Sequence, residues 1–336
     1  MYFALGASLA LAGFLLLNAC FSLCVNFVFR LVQKTAAERP RATFFFLLRI
    51  LPACASALCI LSLVIPSYFI LEPRGTSERI GWALSLLAAL ATLLLAHALL
   101  QGAASWNRSR LILRDWLQRS QPVSLPGVNI PAYKLPADNL KEPFPVVAVI
   151  GALRPRLFIS EHVFDALNGE EFAATLQHEI GHIIARDNLK RWLARMCPAV
   201  LPFLPRAGRL DRVWHAASEE CADIYAVQKG NAAPLSLASA LIKVSRMMPP
   251  CNEQAIPTGA YFLGREDLPD VARRVHVLLD AADSSGAVAV SQSATRRKQF
   301  LLFGLLASST LLLVLSYPTL LLGVHEVLEQ FLHLVS

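Results

Sequence analysis

His178-Glu179-Ile180-Gly181-His182 sets two imidazoles four positions apart, with a carboxylate next to the first. On an α-helix four residues turn the chain by about 400°, so both imidazoles leave one face a single turn apart and can share one zinc ion. Glu179 is turned about 100° away from His178, beside the metal instead of on it. From there it can take a proton from water that zinc has acidified to a pKa of roughly 7, and later pass it to a leaving amine. At this chain's own His and Glu frequencies, such a pattern arises by chance only about 0.01 times per chain, which favours a zinc site over coincidence. A catalytic zinc needs a third protein ligand and an open fourth position. Glu219 and Asp223 are four apart and share a face, which suits Glu219 as the ligand and Asp223 as the acid that orients a ligand histidine through its other nitrogen. Glu220 points about 100° away and reads as a solvated acid. His215, one turn before Glu219, is a candidate contact for substrate or oxyanion, or else a packed imidazole.

The elements that must carry these residues are legible around them. From Asn168 the apolar positions Phe172, Leu176, Ile180, Ile183 and Ile184 recur with helical spacing, Asn168 is placed to cap, and Glu170 and Glu171 fall in the positive first turn. A second helix is expected from after Asp211 to Gly230, and a third from about Pro234 to Met248. Upstream, the prolines at 122, 126, 131, 136, 143 and 145 break up any helix. Two β-rich runs, 146–150 and 157–160, flank Gly151-Ala-Leu-Arg-Pro155 and suit a strand pair with a tight connection. The first run could be an edge strand that pairs with an extended substrate, or a core strand. Residues 189–204 are apolar but broken by Pro198 and Pro202, too short for a span. They could dip into the inner leaflet with Lys190, Arg191 and Arg195 at the headgroups, or be buried in the domain. Arg186 and Asp187 follow as a support for the zinc helix or as a surface ion pair.

Composition makes the chain as a whole a membrane protein. The 336 residues are 55% hydrophobic and 16% charged, too apolar for an ordinary soluble globule. Residues 2–29, 50–71, 80–100 and 300–323 are free of Asp, Glu, Lys and Arg, and each is long enough to cross roughly 30 Å of hydrocarbon as a helix. Arg30, Lys34, Arg39, Arg41 and Arg49 crowd the first loop. The second has Arg74 and Arg79 against Glu72 and Glu78, so the N-terminus is expected outside and the large polar segment in the cytoplasm. Residues 104–298 hold 24 Lys and Arg against 19 Asp and Glu. Seven of those cations, Arg108, Arg110, Arg114, Arg119, Arg296, Arg297 and Lys298, flank the spans, which points to anionic lipid and not to nucleic acid. The seven cysteines lack any C-x-x-C spacing and read as free thiols in a reducing compartment.

With three spans, the run Gly151-Ala-Leu-Arg-Pro-Arg-Leu-Phe-Ile159, HEIGH followed by Arg186-Asp187-Asn188, and Glu219-Glu-Cys-Ala-Asp223, the chain resembles the BlaR/MecR family of integral-membrane zinc metallopeptidases over nearly its whole length. The resemblance implies an α-helical membrane protein with four spans and an α+β zincin-like (gluzincin) domain between spans three and four. It implies one zinc per chain on His178, His182 and Glu219, Glu179 as catalytic glutamate and Asp223 as supporting acid. The expected layout is spans over 1–103, the metallopeptidase domain over 104–280, a flexible linker over 281–299, the fourth span over 300–323 and an outer tail over 324–336. The sensor members of that family carry an extracellular penicillin-binding domain after the fourth span, and here about a dozen residues follow Gly323, so any input must come from the spans, a short outer loop or a separate sensor protein. Expected partners are a protein or peptide substrate, with a transcriptional repressor among the candidates, and membrane lipid. The expected location is a bacterial-type inner membrane. Two alternatives stay open: a quality-control protease of the HtpX type, and a non-catalytic membrane transducer that retains the zinc fold.

Overall fold

The computed structural model describes residues 1–34, 42–73, 80–136, 147–197, 207–228, 233–247, 259–261, 268–283 and 317–332. Among the described residues, three helices are long and apolar enough to cross a membrane. The first is α1 (Tyr2–Lys34). The second is α2 (Ala42–Cys59), which continues through a π-helical turn at Ile60–Val64 into α3 (Ile65–Leu71); the third is α4 (Trp82–Arg119). Leu58, Leu61, Leu93 and Leu100 are all exposed on their outer faces, a pattern that hydrocarbon would cover and water would penalise. The π turn has a local cause. The ring of Pro66 crowds the carbonyl four residues back, on Ser62, and Pro66 has no N–H to offer it. That carbonyl instead accepts a hydrogen bond from the Tyr317 hydroxyl at 2.6 Å. Residues 300–316 of the expected fourth span lie outside the described residues, as does Val146. Residues 317–332 form one helix that runs straight through Gly323. The expected outer tail is therefore helical as far as 332, and Leu332 packs with Leu5, Leu9, Tyr68 and Leu84.

The boundary expected at 103 falls inside α4, which continues without a break to Arg119. Its last turns lay Ile112, Leu113, Trp116 and Leu117 on a five-stranded sheet, against Leu135, Ala148, Ile150 and Phe158. The sheet is built from β1 (Gln121–Val123), β2 (Ala132–Leu135), β3 (Val147–Ile150), β4 (Arg156–Ser160) and β5 (Gly259–Tyr261), in the order β1-β2-β4-β3-β5. Only β2 and β4 run parallel; the other pairs are antiparallel. Gly151 closes the β3–β4 connection at φ +108°, where an added Cβ would meet the Arg154 carbonyl at 2.5 Å. Because side chains alternate along a strand, Val147, Val149, Leu157 and Ile159 project to the opposite face. There they meet α6 (Gly169–Ala185), α9 (Pro234–Met247) and α10 (Leu268–Asp283), which together with α5 (Glu161–Ala166), α7 (Asp187–Met196) and α8 (Ala207–Gln228) build the helical side.

Several expectations change here. β3 is flanked by β4 and β5, so it is an interior strand and not the edge strand that could accept a substrate. All four of its residues are buried, which requires cover on both faces. Helix α8 starts at Ala207, ahead of Asp211, and residues 281–283 of the expected linker are the last turn of α10. The cations of α7 do not point to headgroups: Lys190 reaches Asp187, Arg195 donates to Ser105 Oγ at 2.9 Å, and Arg191 turns inward. Trp192 of the same helix stacks near Trp106 and donates its indole N–H to the Gly102 carbonyl. Phe46 of α2 packs on Trp214 of α8, so spans two and three both grip the helices that carry the site.

Candidate functional site

Helix α6 is fixed at its first turn. Asn168 Oδ1 accepts from the Glu171 N–H at 2.8 Å, and the Glu171 carboxylate accepts from the Asn168 N–H at 2.9 Å, a reciprocal cap. The same carboxylate accepts from Lys243 (2.7 Å) and Ser239 (2.6 Å) of α9, and so pins the start of the helix to its neighbour. At the other end, Gly181 lets α8 approach: a Cβ there would stand 3.1 Å from Ala222 Cα and 3.3 Å from Tyr225. That close approach is what brings Glu219 over to the two histidines.

His178, His182 and Glu219 are buried and present one ligand atom each within a small volume, so they could hold a metal ion. The two Nε2 atoms are 3.1 Å apart; Glu219 Oε2 is 3.5 Å from His178 Nε2, and Glu219 Oε1 is 3.4 Å from His182 Nε2. Each imidazole is held from behind by a buried carboxylate. Asp223 Oδ1 lies 2.8 Å from His178 Nδ1, and Asp187 Oδ2 lies 2.7 Å from His182 Nδ1. A carboxylate at Nδ1 selects the tautomer with its proton on that nitrogen. Both Nε2 atoms then face one another and Glu219, an arrangement that a shared proton or a metal ion between them would satisfy. Burial alone would lower the His182 pKa, but the Glu219 charge and the Asp187 hydrogen bond overcome it and raise it. Burial likewise disfavours the charged forms of Glu219 and Asp223. The histidines and the Arg274 guanidinium outweigh it, and both carboxylates are held below their ordinary values.

Asp187 reaches its place through the backbone. Arg186 takes a left-handed conformation, φ 56°, which ends α6 and starts α7, and sets Asp187 in the positive first turn of the new helix. Ser218 of α8 donates to the same Oδ2 at 2.6 Å, and Asn188 donates to the Val149 carbonyl at 2.8 Å, which ties this corner to β3. Asp187 is thus part of the buried cluster and not a surface ion pair. Burial raises its pKa, but the His182 hydrogen bond and charge outweigh that and lower it.

Glu179 is fully buried, and neither carboxylate oxygen has a hydrogen-bond partner among the described residues. Burial pushes its pKa up to about 7, against the lowering pull of His182 and His178. His215 sits on the rim, Nδ1 3.9 Å from Glu219 Oε1, with Arg191 Nη2 3.5 Å from its Nε2 and 3.7 Å from Glu219 Oε1. Glu220 faces away and pairs with Arg273.

The residue that the motif spacing misses is Arg274. It is only 1% exposed, donates from Nε and Nη2 to the two oxygens of Asp223 at 2.7 Å each, and from Nη1 to Glu219 at 3.1 Å. Its signal in the sequence is a misfit: Val271, Val275 and Leu278 form an apolar stripe on α10, and Arg274 interrupts it. A charge on a buried stripe needs a buried partner. In comparisons with known proteins, no family model and no curated protein matches this chain.

Proposed function

We propose that this chain is a membrane-embedded zinc endopeptidase resembling the BlaR/MecR type, with a zincin-like domain, which makes a regulatory cut in a cytosolic or membrane-adjacent protein. The observation that carries the reading is Glu179: a fully buried carboxylate without a hydrogen-bond partner among the described residues, beside three converging ligand atoms. A metal site that served structure alone would have no use for it, since burying an unpaired acid is costly. Zinc as the ion is supported by the donor set of two imidazoles and a carboxylate, and by spacing. Tetrahedral bonds of about 2.0–2.1 Å put ligand atoms roughly 3.3 Å apart, and the observed separations are 3.1, 3.4 and 3.5 Å.

When bound, zinc supplies Lewis-acid polarisation of the scissile carbonyl and acidifies water. The remaining work falls to side chains. Glu179, with a pKa near 7, accepts the proton of the attacking water and hands it to the nitrogen of the leaving amine. Asp187 and Asp223 keep both imidazoles in the ligating tautomer, and Arg274 holds Asp223 and Glu219 in register. Arg191 and His215, on the partly open rim, are the groups placed to face the developing oxyanion. In the orientation drawn from the first loop, the N-terminus lies outside and the site on the cytoplasmic side, where substrates would be cytosolic proteins or inner juxtamembrane segments.

The test is substrate trapping. A Glu179→Gln chain expressed in cells should retain metal and hold one or a few uncut proteins, identified by mass spectrometry. A broad set of trapped membrane proteins would favour quality control, and full cleavage by the Glu179→Gln chain would remove the catalytic assignment.

A further inference from the structure

Two sets of His and carboxylate ligand atoms converge among the described residues, and the second lies far from the first: Glu72, His325 and Glu329, whose ligand atoms all fall within 4.8 Å of one another. Glu72 closes α3 at its C-terminal end, and the helix over 317–332 carries the other two residues one turn apart. Ala42 to Leu71 is a near-continuous helical run of 30 residues, so Glu72 lies about 45 Å along the span from the end that packs on the catalytic helices. The cluster is therefore at the opposite membrane surface.

The sequence separates these groups by some 250 positions, and specific contacts bring them together. Tyr317 donates to the Ser62 carbonyl displaced by Pro66, and Ser67 Oγ donates to the Leu321 carbonyl at 3.0 Å, so the C-terminal helix is stitched along span two. His325 follows Leu321 by one turn, and Glu72 follows Ser67 by five residues. The two lines of chain deliver their polar groups to the same place. Glu72 is 6% exposed, while the side chains of His325 and Glu329 are 22% and 37% exposed, so the cluster is anchored on one side and reachable from water on the other. His325 Nε2 stands 3.8 Å from Glu329 Oε1, within about half an ångström of the roughly 3.3 Å that a shared tetrahedral ion imposes.

We infer that Glu72, His325 and Glu329 form a second divalent-metal site, separate from the catalytic centre, which takes a zinc-class ion and clamps span two to the C-terminal helix at the surface opposite the catalytic domain. An imidazole with two carboxylates selects borderline ions such as zinc over magnesium or calcium, which require six or more oxygens. Ligands from two separate segments make the ion a cross-link between them. Because α2 packs through Phe46 on Trp214 of α8, a clamp on one end of span two bears on the helix that carries Glu219 at the other.

The test counts zinc per chain in full-length protein purified in detergent, stripped with chelator and titrated with zinc alone. Wild type should bind two equivalents. His325→Ala and Glu329→Gln, the latter nearly isosteric and on a partly exposed position, should each lose one or bind it at least tenfold more weakly. His182→Ala should lose the other equivalent, so failure of the catalytic reading and failure of this one are separable. If His325→Ala and Glu329→Gln both titrate like wild type, the second site does not exist. Displacement of its zinc by equimolar calcium would overturn the ion class.

Discussion

The two metal-competent clusters use the same ligand types and differ in what stands behind them. At His178 and His182 every ligand is buried and has a second carboxylate or guanidinium in contact, drawn from α7, α8 and α10. At His325 and Glu329 the groups meet on the surface of one helix, and only Glu72 is buried. Pre-positioned ligands lose little freedom on binding a metal, whereas mobile surface side chains must be ordered by it. The same ligand types would thus give a tight site at His178 and His182 and, at the proposed surface site, one whose occupancy would follow the surrounding concentration. The backing carboxylates and Arg274, more than the ligands, make that difference.

The largest effect expected is on catalysis and not on metal content. Glu179→Gln should lower the cleavage rate by about 100- to 10,000-fold, as loss of a general base does, and zinc content measured by mass spectrometry should stay near wild type. Concurrent loss of zinc would mean that Glu179 ligates.

The backing is tested next by two adjacent residues. Arg274→Ala strands two buried carboxylates and should destabilise the domain by about 3–5 kcal/mol. Arg273→Ala removes a partly exposed pair with Glu220 and should cost about 0–1 kcal/mol. Thermal unfolding in detergent compares them, and equal shifts would deny Arg274 its place at the centre.

Asp187→Asn and Asp223→Asn should each weaken zinc at the buried site by about 10- to 100-fold, and leave titration of the surface site unchanged. A loss at both sites would show global unfolding and blur the contrast. The smallest effect concerns Glu171, on the same helix but remote from the metal. Burial opposes its charge, yet Lys243, Ser239 and the Asn168 N–H together lower its pKa, so the folded state binds its proton less readily than the unfolded chain. Its contribution is complete above the ordinary carboxylate pKa and is lost as pH falls through the depressed one. In Glu171→Gln protein, the decline of unfolding temperature between pH 5 and 3 should be shallower than in wild type.

What could be read beforehand follows from how local each signal is. His178 with His182, and Glu219 with Asp223, are legible because helical spacing aligns each pair on one face, whereas the approach of α8 to α6 at Gly181 brings the pairs together. Arg274 is not legible in this way, because its partners are 51 and 55 positions away and pairing across that distance leaves no periodic trace. Its intrusion into the stripe of Val271, Val275 and Leu278 was the available clue. The run 146–150 leaves an edge and a core reading open in the sequence, and the burial of all four residues of β3, which needs cover on both faces, decides for the core. The domain boundary drawn at 103 follows composition, and the helical stripe of Ile112, Leu113, Trp116 and Leu117 carries α4 across it. Asp187 had two readings, and the left-handed turn at Arg186 decided between them.

The unbroken course of α4 would make bilayer thickness a mechanical variable once this helix crosses a membrane. A rod of 38 residues is about 57 Å long, so a tilt of about 5° moves one end sideways by about 5 Å relative to the other. Spans answer a thinner bilayer by tilting, and the far end of this one is Trp116, seated on Phe158 with its ring centre 5.3 Å away. A change of tilt in α4 would in this way be carried directly to the sheet.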